Sequence, residues 1–205
     1  MEKFHWRFQI SSLYDFDTDV GNSKVLCGID EVGRGPLAGP VYAVAFIFPN
    51  FEIDGVNDSK KLSPKKRELI FEDMISKNVN YSIGSSSVEE IDDLNILNAT
   101  HLAMKRAVEN LNITPDLILV DGKFAPNFDI ETKSIIKGDS ISYSIASASI
   151  IAKVLRDRLM IEMHEKFPGY HFNKNKGYGT KVHIEALKEI GPCKIHRKSF
   201  LKNII

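Results

Sequence analysis

The stretch GIDEVGRGPLAGP, residues 28–40, joins two apolar runs and decides how the surrounding chain folds. The flanking runs, KVLCGIDE at 24–31 and VYAVAFIFP at 41–49, are rich in β-formers and too short to favour a helix. They predict two strands joined by a loop containing glycine and proline. The first strand ends in Asp30 and Glu31, directly before a loop whose glycines and Arg34 suit a phosphate group.

Outward from this pair of strands, the chain alternates helical and strand patterns. Ser63 before Pro64 predicts a helix start, and Ser87 with Glu90 has the spacing of a capping box. The helix that begins there is predicted to run through HLAMKRAVENL, with Pro115 beyond its end. The other predicted elements are strands at 79–87, 116–120 and 132–136, a long helix at 143–167, a loop at 169–180 and a short helix at 181–190. This order predicts an α/β fold of one domain with a small, basic C-terminal lobe.

The composition is that of a globular protein, and its charge is divided unevenly. The 205 residues carry 27 basic and 27 acidic side chains, yet residues 153–205 hold a net charge of +7. A basic quarter beside an acidic body suits a nucleic-acid groove next to a metal site, although a solvated helical surface accounts for the charge equally well.

Targeting segments and cysteine spacing indicate where a protein is located and whether it has zinc or disulfide sites. No signal peptide and no run long enough to span a membrane is seen, so we expect a cytoplasmic protein without a membrane partner. The two cysteines have neither zinc-site nor disulfide spacing, and Cys27 is expected to be buried filler.

Four acids lie at or just beyond the ends of predicted strands. They are Asp30, Glu31, Asp121 and Asp139. Strand ends at one edge of a sheet can converge, and clustered carboxylates are the ligands that hard cations such as Mg²⁺ prefer. Each acid taken singly is more typical of a turn or a helix cap, so the prediction rests on their shared placement.

The glycine loop has a second interpretation, as a dinucleotide-binding fingerprint. Its spacing is G-x-G-x-x-x-G, it leads into a strand instead of a helix, and two acids beside it would oppose a pyrophosphate. The context therefore favours close approach of a nucleic-acid backbone to the glycines, with Arg34 binding a phosphate.

The ordered motifs resemble those of the bacterial type 2 ribonucleases H, the ribonuclease HII family. The motifs that carry the resemblance are GIDEVGRGPLAGPV, NDSKKLS, IDDLNILNAT, LILVDG, IIKGD, ASIIAKVLRDRLM, KGYGT and GPCKIHRKSF. The resemblance implies a ribonuclease H-like fold: a mixed central sheet flanked by helices, with a small helical, basic C-terminal region. It also implies an endonuclease that hydrolyses the RNA strand of RNA–DNA hybrids, cuts 5′ of single ribonucleotides embedded in duplex DNA and so removes them from DNA.

The same resemblance implies the site residues. The family's four acids fall on Asp30, Glu31, Asp121 and Asp139, which would hold two divalent ions, Mg²⁺ or Mn²⁺. Its junction-reading residues fall on Gly33, Arg34, Gly35 and Tyr178, and Lys60 is expected to bind the substrate backbone. We expect products with 5′-phosphate and 3′-hydroxyl ends.

The predicted domain division is a leader at 1–24, a catalytic domain at 25–168 and a basic loop and helix at 169–205 packed on the same domain. The leader is too short to form the additional N-terminal domain of the type 3 enzymes. We expect a monomer that binds RNA–DNA hybrid and DNA duplex containing a ribonucleotide.

Several residues leave alternatives open. Lys60 could be a solvated surface lysine, and Asp157 could assist the metals but is more typical of a structural ion pair. His183 could approach the substrate, although a histidine at a helix start is the simpler interpretation, and His164, His171 and His196 have no ligand spacing. Two other functions also fit in part: another metal-dependent phosphoryl enzyme of this fold, and a hybrid-binding module without catalysis.

Overall fold

Five strands form one mixed sheet at the centre of the molecule. The computed structural model describes residues 12–202 and 204–205, so the first eleven residues of the predicted leader lie outside the described part. The strands are β1 (Leu26–Val32), β2 (Val41–Ile47), β3 (Tyr81–Ser86), β4 (Leu117–Asp121) and β5 (Glu131–Ile135). Their order is β3-β2-β1-β4-β5, with β1–β2 and β2–β3 antiparallel and β1–β4 and β4–β5 parallel. The mixed sheet that the resemblance implied is confirmed.

Helices cover both faces of the sheet. They are α1 (Leu13–Gly21), α2 (Pro64–Ser76), α3 (Val88–Leu94), α4 (Ile96–Glu109), α5 (Tyr143–Lys166), α6 (Phe172–Asn175), α7 (Lys181–Ile190) and α8 (Lys198–Leu201). On β2, Ala43 and Ala45 pack with α4, whereas Val44 and Phe46 pack with α2 and α5. The two-residue period of a strand thus divides one sequence run between two cores.

Two glycines allow the helices to lie directly on the sheet. A Cβ atom on Gly28 would lie 2.3 Å from the backbone carbon of Ser144 in α5. One on Gly84 would lie 1.9 Å from the carbonyl oxygen of Ala103 in α4. Both distances are shorter than any van der Waals contact, so a side chain at either position would force a helix away from the sheet.

The predicted helix caps are present, but one predicted helix is divided. Ser63 caps α2, and Ser87 and Glu90 form the capping box of α3. The helix expected to continue through 111 breaks at Asn95, whose φ of 68° lies outside the helical region. Its side chain accepts hydrogen bonds from the first free backbone amides of α4, which makes a new helix start at that residue. The loop predicted at 169–180 also contains the single turn of α6.

Segments near both ends of the described residues pack against α5. In α1, which lies within the predicted leader, the buried Phe16 packs in the same cluster as Leu26 and Ile145. Near the C-terminus, Phe172 and Leu187 pack with Met160 of α5 and with the glycine loop. Within the described part of the chain, none of the helices combines the length and the apolar character that crossing a bilayer requires.

Candidate active site

The four predicted acids converge at one edge of the sheet. β4 runs parallel to β1 and ends at Asp121. Asp121 on β4 and Asp30 on β1 each directly follow the last registered pair of the two strands. β5 runs parallel to β4 and leads into a short 3₁₀ turn that carries Asp139. Because parallel strands present their carboxyl ends at the same edge, residues that are distant in sequence meet here.

Asp30 and Glu31 share this edge although they lie on opposite faces of β1. The strand was expected to end at Glu31, but it continues to Val32, which is in register with Tyr42 of β2. Asp30 therefore lies on the face covered by α5 and Glu31 on the face covered by α4. Both side chains, together with Asp121, line a single cleft of about 280 Å³.

Hydrogen bonds hold each acid in place. Asp30 Oδ1 accepts the backbone N–H of Glu31 at 2.7 Å, and Asp121 Oδ1 accepts the N–H of Gly138 at 2.7 Å. Asp139 Oδ2 accepts Lys60 Nζ at 3.1 Å. The bond between Asp121 and Gly138 links the end of β4 to the turn that carries Asp139.

Burial and mutual repulsion raise the pKa values of Asp30, Glu31 and Asp121. Burial, aided by the negative charges of Glu31 and Asp121, raises the pKa of Asp30 well above its ordinary value. Burial also raises the pKa of Glu31, which Arg34 opposes, and burial with the charge of Asp139 raises the pKa of Asp121. Crowded carboxyl groups of this kind need a nearby positive charge to be ionised together.

Lys60 supplies part of that charge. Burial lowers the pKa of this lysine, but the hydrogen bond to Asp139 and the charge of Asp30 outweigh burial and raise it. Lys60 is therefore ion-paired with Asp139 although most of its side chain is exposed, and its contact with the substrate stays a prediction.

The donor set fits a hard divalent cation, because it offers carboxylate oxygens under mutual repulsion. Among the described residues, however, no three His, Cys, Asp or Glu side chains are gathered into a ready metal site. An ion held here would need further oxygen ligands, from water or from a substrate phosphate.

The residues predicted to bind the substrate lie in the same cleft. Gly33, Arg34, Gly35, Lys60 and Tyr178 all contribute to its wall. A Cβ atom on Gly35 would lie 3.7 Å from Cε1 of Tyr178, so the glycine loop and the tyrosine ring adjoin each other.

Two buried arginines, which the sequence analysis did not single out, support this wall. Arg197 donates to the carbonyl oxygens of Gly33, Arg34 and Gly39. Arg156 donates to the carbonyl oxygens of Pro40, Ala38 and Lys176. The guanidinium groups thus tie the glycine loop to itself and to the segment that precedes Tyr178.

Five further residues line the cleft without having been predicted: Val32, Ser59, Arg67, Ser149 and Lys153. Ser149 and Lys153 are four residues apart on α5 and so share one face of the helix, which is the only sequence signal that could have found them.

Lys153 Nζ bonds Asp157 Oδ1 at 2.6 Å, which confirms the structural ion pair expected for Asp157. Cys27 is fully buried, as predicted, and His183 lies in the first turn of α7, as the simpler interpretation of a histidine at a helix start predicted.

Comparisons with known proteins identify the sequences and folds to which this chain is similar. A family model described as ribonuclease HII matches residues 27–203. The ribonuclease HII of Caldicellulosiruptor bescii is 57% identical over 183 residues, which is 89% of each chain. The structure of the PCNA and ribonuclease HII complex from Archaeoglobus fulgidus is similar at 27% identity and a TM-score of 0.69, over 87% of this chain and 96% of that one. The Bst ribonuclease HIII in complex with Mn²⁺ has the same fold at 18% identity and a TM-score of 0.63, over 82% of this chain and 63% of that one.

Proposed function

This chain belongs to the ribonuclease HII family and is a ribonuclease H, and we propose that it cuts RNA–DNA hybrids and also cleaves 5′ of single ribonucleotides embedded in duplex DNA. The observation that carries the proposal is the meeting of three carboxylates, the glycine loop and Tyr178 in one cleft. A cleft that holds carboxylates suited to catalysis beside residues able to contact the sugar is suited to removing ribonucleotides from DNA.

The four acids are proposed to hold two divalent ions, as the chemistry of their oxygen donors and the Mn²⁺ complex of the Bst ribonuclease HIII support. When bound, such ions would activate a water molecule and stabilise the leaving 3′ oxygen. Asp30 is proposed as the central ligand, because it is the most buried acid that lines the cleft and interacts with both Glu31 and Asp121. Lys60 would hold a backbone phosphate and keep Asp139 in position.

The glycine loop is proposed to read the ribose. Only the 2′-hydroxyl distinguishes RNA from DNA at one nucleotide, and backbone groups without a neighbouring Cβ can approach it closely. Arg34, half exposed at the cleft, would bind the adjoining phosphate. The ring of Tyr178 would pack on the deoxyribose that follows, and so test for an RNA-to-DNA junction.

The deciding experiment is a gel assay on a DNA duplex with one ribonucleotide, with Mg²⁺ and with EDTA. We expect a single cut on the 5′ side that EDTA abolishes and whose products carry 5′-phosphate and 3′-hydroxyl ends. A 2′,3′-cyclic phosphate, or cleavage in EDTA, contradicts the metal-dependent reaction. Binding without cleavage would favour the non-catalytic module, and equal cutting of an all-DNA duplex would favour a different phosphoryl enzyme.

Gly35→Ala tests the reading of the ribose without disturbing the fold. The added methyl would be in ordinary contact with Tyr178, but it would project into the cleft where the sugar is proposed to lie. We expect cleavage at the ribonucleotide to fall about a hundredfold, as a misplacement of about 1 Å can cause. Gly21→Ala is the matched control, since its methyl would lie 3.7 Å from Leu26 and away from the cleft. Equal activity of both variants would argue against close approach at Gly35.

A further inference from the structure

Two buried histidines behind the cleft form a hydrogen-bonded pair that the proposed chemistry does not use. His183 of α7 and His196 bring their Nε2 atoms to 3.0 Å from each other. The rings of Tyr170 and Phe172 enclose them, with Tyr170 4.7 Å from His196 and Phe172 5.4 Å from His183 between ring centroids. Neither histidine lines the cleft.

The hydrogen-bond partner of His183 Nδ1 determines which nitrogen atoms of the pair carry hydrogen. His183 Nδ1 lies 2.8 Å from the carbonyl oxygen of Tyr178, which can only accept, so this nitrogen carries the hydrogen. Nε2 of a neutral His183 is then an acceptor, and the proton between the two rings belongs to Nε2 of His196. Nδ1 of His196 is consequently bare and can accept.

The contacts of His196 Nδ1 agree with this assignment of the hydrogens. The backbone N–H of Cys193 donates to Nδ1 of His196 at 2.9 Å. The carbonyl oxygen of Cys193 is also near, at 3.2 Å, but it already accepts the backbone N–H of His196 at 3.0 Å. A chain of donors therefore runs in one direction, from Cys193 through His196 and His183 to the carbonyl of Tyr178.

The chain is complete when both imidazoles are neutral. A second hydrogen on either facing Nε2 would set two N–H groups against each other, and one on Nδ1 of His196 would oppose the N–H of Cys193. Burial lowers the pKa of His183, and burial with the adjacent His183 lowers that of His196 to about 4. The groups around the rings are Tyr170, Phe172, Cys193 and the Tyr178 carbonyl, and no carboxylate among the described residues hydrogen-bonds either imidazole.

A metal site is the other use that two facing histidines could have. The described part of the chain brings no third His, Cys, Asp or Glu into a metal-binding group with them. Cys193 lies against Nδ1 of His196, on the side of the ring away from His183. The pair is therefore suited to hydrogen bonding and not to chelation.

We propose that His183 and His196 are positioning residues that act as a neutral, one-directional relay to hold the backbone of Tyr178 and aim its ring into the cleft. The proposal rests on the junction-reading function proposed for Tyr178. The same segment is held from its other side, where Arg156 donates to the carbonyl of Lys176 at 3.0 Å and Gly177 donates to Asn175 Oδ1 at 2.8 Å. The relay adds a second donor to the carbonyl of Tyr178, which also accepts the backbone N–H of Thr180 at 2.8 Å.

The relay can be tested in the free protein, independently of catalysis. Long-range ¹H–¹⁵N NMR correlations of ¹⁵N-histidine-labelled protein distinguish the two neutral tautomers and the cation. We expect the Nδ1–H tautomer for His183 and the Nε2–H tautomer for His196, both unchanged from about pH 8 to about pH 5.5. The opposite tautomer at either residue, or a cationic ring at pH 7, would overturn the relay even if the enzyme cuts as proposed.

A pair of variants tests its effect on the substrate. In His196→Gln the amide nitrogen can replace Nε2 as the donor to His183, whereas His196→Leu fills the space without a donor. Because one hydrogen bond contributes about 1 kcal/mol, we expect His196→Leu to lower kcat/KM at a single ribonucleotide about five- to tenfold and His196→Gln to restore most of it. Cleavage of a continuous RNA strand in a hybrid should change less, because no junction is read there.

The outcomes separate a relay from general packing. Equal losses for Gln and Leu, or equal losses on both substrates in step with the melting temperature, would show that the pair only fills the core. If Tyr178→Ala cuts both substrates in the wild-type ratio, the proposed function of Tyr178 is wrong, and the tautomer measurement still decides whether the relay exists.

Discussion

A buried carboxyl group in α1 makes a quantitative prediction about stability. Asp17 is fully buried, and its Oδ2 accepts the N–H of Ser144 at 2.6 Å as well as the Ser144 hydroxyl. Burial raises its pKa from 3.8 to about 6, although the hydrogen bonds oppose the change. The carboxylate also lies at the N-terminus of the 24-residue α5, where the helix dipole favours the ionised form by about 1 kcal/mol. The prediction is that burial is the larger effect.

The sign and size of the pH effect on stability follow from the pKa values of Asp17 in the folded and unfolded states. A folded-state pKa above the unfolded value contributes stability at low pH, which is lost as the pH rises through about 6. At about 1.4 kcal/mol for each pKa unit, the full shift corresponds to about 3 kcal/mol, of which about 2.4 kcal/mol is lost between pH 4 and pH 7. Asp17→Asn keeps an oxygen that can accept from Ser144 and cannot ionise, so it removes this loss.

Urea denaturation at several pH values measures the difference between the two proteins. We expect the free energy of unfolding of Asp17→Asn to rise relative to wild type by about 2–3 kcal/mol from pH 4 to pH 7. The difference isolates Asp17 from the other carboxyl groups with raised pKa values. Asp19→Asn, an exposed residue on the same helix, is the control and should run parallel to wild type. Parallel curves for Asp17→Asn as well would show that the helix dipole and the Ser144 bonds cancel the effect of burial.

The remaining predictions concern the cleft and the packing beneath it. Asp30→Asn should lower hybrid cleavage in Mg²⁺ more than about a hundredfold while binding of the uncut hybrid, measured by filter retention, is kept; substantial remaining activity would remove Asp30 from the central position. Tyr178→Ala should reduce cleavage at a single ribonucleotide far more than thermal stability, and Tyr178→Phe should keep part of it through ring packing; normal kinetics of the alanine variant would make the tyrosine structural. Gly28→Ala should lower the melting temperature by about 10 °C or more, because its methyl would overlap the backbone of α5; a calorimetric scan close to wild type would show that the sheet and helix can separate.

Local patterns in the sequence were sufficient for most of the fold and for the acids. The strands around residues 28–40 were identified by their composition, and the starts of α2 and α3 by capping residues that act within one turn. Asp30, Asp121 and Asp139 were found because the end of a strand can be recognised from its neighbours in the chain. The division at Asn95 was missed because its unusual backbone angle competes with an otherwise continuous helical pattern.

Contacts between distant residues were decided only by the tertiary structure. Asp17 is 127 positions from Ser144, Lys60 is 79 from Asp139, and Arg197 reaches back 164 positions to Gly33. No periodicity encodes such pairs, because each depends on how the sheet brings separate segments together. The sequence by itself determined which residues carry the proposed chemistry. The folded chain determined which lysine lies among the acids and which arginines and histidines hold the residues proposed to read the substrate.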